Sequence, residues 1–301
     1  MKGYRWQAGK LAVSLSLLGA LVGSGCQQEP SETEPAANEA RPTVLQPLHR
    51  HFNLNWAQHK LWDDGLAEVT TYAAERVVYK KPRPYELTLI TVKEDFNAAF
   101  NVKTDDYQRP DLFAVMKVNE FCRVPTDNYP YHYLTSLFFR REDPLQLHKM
   151  TTSAQEWCGN TFKALTADAD GYQLSYNSYW DGQGTGQYEV PFDVLLEDAL
   201  PYTLRSLRFN DEPLFEANVL ETQQTNQAPA PVRYRAEFRV ARAAPNEAPR
   251  PAWRVTVRLA QGKDNVYWFD QQYPHLLLKQ TTWDGRQLLL KDSRRAAYWQ
   301  H

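Results

Sequence analysis

From residue 67 onward, apolar and polar residues alternate in short runs broken by Gly, Pro, Asn and Asp, the period-two pattern of half-buried antiparallel strands. The runs 67–79 and 85–92 flank Lys80-Lys81-Pro82-Arg83-Pro84 and predict a long hairpin. Further strands are predicted over 112–123, 133–141, 145–153, 157–166, 171–180, 186–190, 214–223, 231–242, 252–260, 265–269, 275–283 and 286–292. With the opening pair, that makes about fourteen strands.

Helical spacing is sparse. Phe52 to Leu61 predicts a short helix ahead of the first strand, and 192–205 has apolar residues three and four apart, with Pro201 predicting a break near Ala199 or Leu200. Three Trp-Asp-Gly corners recur, at Trp62 to Gly65, Trp180-Asp181-Gly182 and Trp283-Asp284-Gly285. Asp-Gly supplies the positive φ that a tight turn needs, so turn chemistry is favoured over a metal or sugar-binding role for these aspartates. Their irregular spacing excludes propeller or solenoid repeats. The Pro- and Ala-rich stretches 227–231 and 243–251 are predicted as loops within one domain, since strand patterns continue on both sides.

The N-terminus changes the picture from fold to address. Basic Lys2, Arg5 and Lys10 precede an apolar run from Leu11 to Val22, and Gly23-Ser24-Gly25-Cys26 follows, the layout of a secretory signal. The apolar run is shorter than the ~20 residues a spanning helix needs. Small residues ending on a cysteine resemble the lipobox of bacterial lipoproteins. The resemblance implies cleavage after residue 25 and lipidation of Cys26, although Gly23 stands where that family usually has Leu; the alternative is an ordinary secretory signal with an incidental cysteine. Residues 26–45, rich in Pro, Glu and small residues, predict a flexible tether, and 46–301 a single antiparallel β domain. The predicted location is therefore the cell envelope, lipid-anchored, with Gln27 rather than Asp after the cysteine pointing to the outer membrane.

Loss of Lys2, Arg5 and Lys10 with residues 1–25 turns a formal charge of −2 into −5. That balance, a pI near 6.4 and the lack of a basic patch argue against nucleic acid as a partner. If Cys26 is acylated, Cys122 and Cys158 are the two thiols left. Outside the cytoplasm such a pair is read first as a disulfide, closing a loop of about 37 residues and stabilising by about 3 to 4 kcal/mol. Two buried free thiols are the next reading. A Cys158-His-Asn set drawn from His132, His148 and Asn160 lacks the helix N-terminus or motif that would activate a thiolate.

No other chemistry carries a motif. His49-Arg50-His51 is read as a solvated loop, and the pairs Asp63-Asp64 and Asp105-Asp106 as turn residues. HExxH, P-loop, GxGxxG and GxSxG patterns do not occur, and the sequence predicts no cofactor and no metal site. Aromatics make up 13% of the chain. Tyr129, Tyr131 and Tyr133, and Tyr172, Tyr176, Tyr179 and Trp180, are candidate sugar- or lipid-facing platforms weighed against ordinary strand packing.

"KLWDDGLAEVTTY", "YPYHYLTSLFF", "HKMTTSAQEWCGNTF" and "SYWDGQGTG", together with the lipobox, resemble an uncharacterised family of bacterial lipoproteins of about 300 residues. The family brings no catalytic residues. Some members are labelled septum formation inhibitor Maf, but the Ser-x-Ser-x-Arg-Arg motif of those pyrophosphatases is not here; Ser293-Arg294-Arg295 is its nearest fragment. The C-terminal segment 267–295 is similar in pattern to periplasmic lipoprotein carriers with an antiparallel half-barrel.

The expectation is thus an all-β domain, a large curved antiparallel sheet or open half-barrel with one or two short helices. Its leading role is a non-enzymatic binding or carrier lipoprotein holding an apolar or amphipathic ligand, such as a lipid, in the concave face. The rivals are a hydrolase of envelope polysaccharide acting through carboxylates, and a structural or interaction lipoprotein without a ligand. The sequence leaves the oligomeric state open.

Overall fold

The computed structural model describes residues 45–300; the signal, Cys26 and the tether to residue 44 lie outside them. The chain forms β1 (Ala67–Val78), β2 (Lys81–Asn97), β3 (Val102–Lys103), β4 (Leu112–Val124), β5 (Tyr131–Arg140), β6 (Leu147–Glu156), β7 (Gly159–Ala167) and β8 (Tyr172–Ser178). It continues with β9 (Thr185–Val190), β10 (Val194–Leu196), β11 (Leu214–Leu220), β12 (Arg233–Arg242), β13 (Ala252–Ala260), β14 (Lys263–Asp270), β15 (Leu277–Thr281) and β16 (Gln287–Ala296). All belong to one sheet, ordered β10-β11-β12-β13-β14-β15-β16-β1-β2-β4-β5-β6-β7-β8-β9, with β3 beside β2. β10 and β11 pair in parallel and the other ladders are antiparallel. The curved antiparallel sheet predicted from the alternation is what forms, and it goes further than a half-barrel. The chain passes from β9 to β10 in three residues, so the sheet's two ends come together without a ladder between them.

Alternation decides which side chains point in. On β1, Glu68, Thr70, Tyr72 and Ala74 are buried while Ala73 is exposed; opposite them on β4 and β5, Met116, Val118, Tyr133 and Leu137 are buried in the same core. Two non-strand segments fill the space the strands enclose. One is α1 (Gln46–His49) with the 3-10 turns Trp56–Gln58 and Lys60–Asp63. The other runs from the 3-10 turn Glu197–Ala199 through α2 (Leu200–Thr203) to Leu204–Ser206 and Phe209–Asp211. Trp56, Trp62, Leu200, Tyr202, Leu204 and Phe209 join the strands' inward residues in one cluster, with Phe139 stacked on Tyr202 at 4.3 Å. The helix predicted over 192–205 therefore gives way to a strand, two 3-10 turns and one helical turn. Pro201 lies inside that helix's first turn rather than ending it, where its missing N–H costs nothing. The helix predicted over 52–61 is two 3-10 turns.

All three Trp-Asp-Gly corners place glycine at positive φ, at 75° for Gly65, 77° for Gly182 and 86° for Gly285. The last two turn β8 into β9 and β15 into β16, as the turn reading requires. The first hairpin turns earlier than predicted, on Tyr79 and Lys80 at φ 53° and 60°, and Pro82 and Pro84 fall inside β2 opposite Val77 and Glu75. They fit because β4 stops pairing at Leu87. Below residue 87, β2 is an edge, the position where a strand proline is tolerated. Among the described residues no helix is long and apolar enough to cross a membrane.

Candidate functional site

Three places combine chemistry and access: a charged network inside the barrel, an aromatic rim at the end carrying the Tyr79-Lys80 turn (the upper end), and a cleft in the wall near the lower end.

The buried charges are matched in pairs. Arg205, from the 197–211 segment that plugs the barrel, donates from Nη1 and Nη2 to the two carboxylate oxygens of Glu68 on β1 at 2.7 and 2.8 Å, and from Nε to the Pro274 carbonyl at 3.0 Å. Its guanidinium lies 5.0 Å from the ring centre of Trp56 and 5.7 Å from that of Trp62, a cation–π setting. Burial works against the Arg205 charge, but Glu68 outweighs it and holds the pKa above the ordinary value. Higher in the barrel, Arg286 pairs with Glu197 and, at 2.9 Å, with Asp284. Asn265 Nδ2 donates to Glu197 at 3.1 Å. Burial pushes the Glu197 carboxyl up, with Arg286 opposing.

The loop between β11 and β12 crosses the upper mouth and is tied to the far wall by polar bonds. Asp198 receives the Gln223 N–H and the Thr222 hydroxyl at 2.7 and 2.6 Å. Gln224 Nε2 donates to Glu120 on β4 at 2.7 Å. Lys163 Nζ on β7 donates to the Gln223 carbonyl at 2.9 Å and to Thr225 Oγ1 at 3.1 Å. Trp180 Nε1 and the Thr161 hydroxyl both donate to the Asn226 carbonyl, at 2.6 and 2.7 Å. Burial drives Lys163 down to about 8 and pushes Glu120 up. These groups close the mouth: Gln223 and Gln224 are themselves buried.

The rim outside that loop is aromatic. Trp157, at the β6–β7 turn, is 78% exposed and stacks on Tyr129 at 5.9 Å and 21°. Tyr131 lies 5.9 Å beyond Tyr129, and Tyr79 follows at 6.2 Å, its hydroxyl bonded to that of Tyr131. Tyr179 lies flat on Gly159, where a Cβ would sit 2.2 Å from its ring, so only glycine allows the contact.

The third place exists because β15 is short. It pairs with β16 only at 279–281 against 287–289, whereas β1 pairs with β16 down to Ala296. Between the lower half of β16 and the 271–276 loop the wall opens into a cleft of about 590 Å³ lined by Leu61, Glu68, Arg250, Asp270, Tyr273 and Arg295 among others, a volume usual for binding clefts.

The structure scatters most residues that the sequence singled out. The Cys122–Cys158 bridge is not formed: both thiols are free, Cys122 buried and Cys158 exposed. Cys122 points into the barrel from β4, and Cys158 sits in the turn before β7. β5 and β6 lie between, so the two are about three strand spacings of 4.8 Å apart, against the ~7 Å Cα separation a disulfide tolerates. Burial and the Glu120 charge push the Cys122 thiol up to about 12. Cys158 Sγ meets the Tyr129 hydroxyl at 2.9 Å. His148 lies at the other end of β6, roughly 30 Å of strand away, bonded to Asn101; His132 and Asn160 are exposed on the outer face. No Cys-His-Asn set assembles.

Asp63 takes Lys93 and Arg141, both at 2.7 Å, and their hydrogen bonds hold it near 2; Asp64 takes Arg295. Asp105 pairs with Lys103 at 3.0 Å. The His49-Arg50-His51 stretch, predicted as a solvated loop, begins on the last residue of α1 and is less solvated than expected, with His49 3.0 Å from Asp143 and His51 stacked on Phe215 at 4.6 Å. Of the platform candidates, Tyr129 and Tyr179 reach the rim, Tyr131 is buried with its hydroxyl on Tyr79, and Tyr176 stacks on Tyr188. Tyr133 and Tyr172 are buried, and Trp180 anchors the crossing loop. The sequence reading missed Glu68, Lys163, Arg205 and Arg286. The signal for Glu68 was present: a charge in phase with the inward Thr70, Tyr72 and Ala74.

No family model and no curated protein matches the chain. Among solved structures, it is similar to a beta-barrel-like protein of a domain of unknown function, DUF1849, from Brucella abortus, at a TM-score of 0.45 and 7% identity, covering 76% of this chain and 98% of that one.

Proposed function

We propose that the protein is a non-enzymatic binding protein of the cell envelope, held to the membrane through a lipid on Cys26, that takes an amphipathic ligand on the aromatic rim of its barrel. The observation that carries this is the stacked pair of Trp157, 78% exposed, and Tyr129. An indole supported by a neighbouring ring rather than by the core offers a flat apolar face with little side-chain entropy left to lose, and the exposed Tyr79 adds a polar edge on the same rim. Ligands with one apolar face and a polar rim, glycan chains foremost, match that surface. The interior favours the rim over the concave face, because two chain segments and the crossing loop occupy the space a carrier would leave for cargo. The acids with raised pKa, Glu120 and Glu197, are bonded to Gln224 and to Arg286 with Asn265, an engagement that favours binding over hydrolysis.

Fluorescence titration of the full mature protein with soluble cell-wall glycan fragments, and separately with phospholipid vesicles, tests this. A saturable change in emission with the glycan, lost in Trp157→Ala while the melting temperature holds, is the expected result. Vesicle binding alone would move the ligand to the lipid class, and no response to either probe would end the reading. Mass spectrometry of protein taken from its native membrane checks the acyl group on Cys26.

A further inference from the structure

The lower half of β16 is bonded to β1 on one side and has no strand partner on the other from Leu290 to Ala296 among the described residues. Of this edge, Ser293, Arg294 and Arg295 line the lateral cleft, at the opposite end of the barrel from Trp157. We propose that this edge takes up an extended acidic segment of a partner protein, which fills the strand position that β15 is too short to reach.

Three observations lead there. First, an unpaired edge is a template for strand addition, and proteins commonly blunt such edges with proline. This chain does so elsewhere, since Pro82 and Pro84 sit where β2 runs beyond β4; β16 has no proline between Leu290 and Ala296 and is guarded instead by a bulge at Lys291 and by the charges of Lys291, Arg294 and Arg295, which admit an acidic strand and repel a basic one. Second, the edge faces usable space, the cleft of about 590 Å³ whose other wall is the 271–276 loop.

Third, the charges of the cleft are unevenly satisfied. Both acids on its lining are already held, Glu68 by two nitrogens of Arg205 and Asp270 by Arg250 at 2.6 Å. Arg294 is exposed, lines the cleft and has no partner among the described residues. Arg295 spends Nε and Nη2 on Asp64 and on the Leu61 and Leu66 carbonyls, while its buried Nη1 has none. An incoming strand with carboxylates at alternate positions presents them on one face, where they would meet Arg294, opposite Val69, as its backbone met β16; Arg295, opposite Glu68, lies on the other face. The same charges turn away a second copy of this chain, whose β16 edge carries Lys291, Arg294 and Arg295 against Asp292.

The probe is a capped, fluorescently labelled octapeptide alternating glutamate with valine, and its control is the same peptide with lysine for glutamate, each titrated by anisotropy into the full mature protein. The expected result is that the acidic peptide binds at least about tenfold tighter than the basic one and slows amide hydrogen exchange across residues 290–296. Arg294→Glu should abolish this preference without shifting the melting temperature, because the exposed arginine holds nothing together. Equal binding of the two peptides overturns the proposal. So does acidic-peptide binding that leaves exchange in 290–296 unchanged, or that free glutamate at the same carboxylate concentration displaces fully, either of which marks a simple anion site. Trp157→Ala should bind the peptide normally, so failure here and failure at the rim are read apart.

Discussion

Arg205 and Glu68 meet end-on with two parallel hydrogen bonds, their side chains 3% and 5% exposed, and so pin the plug segment to the barrel wall. Both charges are almost wholly withdrawn from water. Arg205→Ala leaves Glu68 stranded and should cost about 3–5 kcal/mol, whereas Arg205→Met combined with Glu68→Leu should cost clearly less than the two single changes summed. Urea unfolding of the four proteins checks it. Additive losses would mean that the pair is not coupled.

The two thiols should behave as different chemicals. Cys158 is exposed, while Cys122 is buried with its thiol pushed up to about 12. In protein carrying Cys26→Ser, a thiol reagent should titrate one group in the native state and the second only after unfolding, and Cys158→Ala should remove the native reaction. Two thiols that fail to react even in denaturant without reductant would mean that the sulfurs are bridged after all.

The sequence carried the strands well because alternation is local. β13 is found at the predicted residues 252–260, and the two strands not foreseen have specific reasons. β3 is two residues long. β10 is Val194-Leu195-Leu196 inside a stretch with helical spacing, and becomes a strand only because β11, about twenty residues on, pairs with it. The cysteine pairing was not legible for the same reason: which strands lie between Cys122 and Cys158 is a fact of sheet order. The rim was half legible, since Tyr129 and Tyr179 stood out in sequence while Trp157 shows its exposure only at the tip of a turn. The charged interior was legible at Glu68, where the inward phase is unbroken, but not at Arg205 or Arg286, which lie in the plug and next to a turn.

Lys163 predicts an alkaline signature. Burial takes its pKa down to about 8 from an ordinary 10.5, so between those values the unfolded chain binds a proton that the folded one does not. The lysine's contribution to stability is then fully present above about 10.5, and is lost as pH falls through about 8, by at most ~1.4 kcal/mol per pH unit. Cys122 and the buried tyrosines pull the other way at high pH, so the clean observable is a difference. Relative to the wild type, Lys163→Met should lose ground progressively between about pH 8 and about pH 9.5 in urea midpoints. A constant gap between the two proteins across that range would show that the amine keeps its proton in the fold.

Gly182 and Gly285 occupy the same kind of corner with different surroundings, which lets backbone strain be separated from crowding. Both have φ near 80°, at 77° and 86°. A Cβ at residue 182 would meet nothing within 4 Å, and one at residue 285 would come 2.9 Å from Val77 Cγ2. Gly182→Ala should therefore cost only the left-handed strain, about 1–2 kcal/mol, and Gly182→Asn less, since a short polar side chain tolerates that region. Gly285→Ala adds a clash with a β-branched side chain that has few rotamers to escape into. It should cost more than Gly182→Ala, and Val77→Ala in the same protein should bring the loss back to the Gly182→Ala level. If the two glycine variants lose equal stability and trimming Val77 restores nothing, the β1–β2 hairpin does not press on the β15–β16 corner.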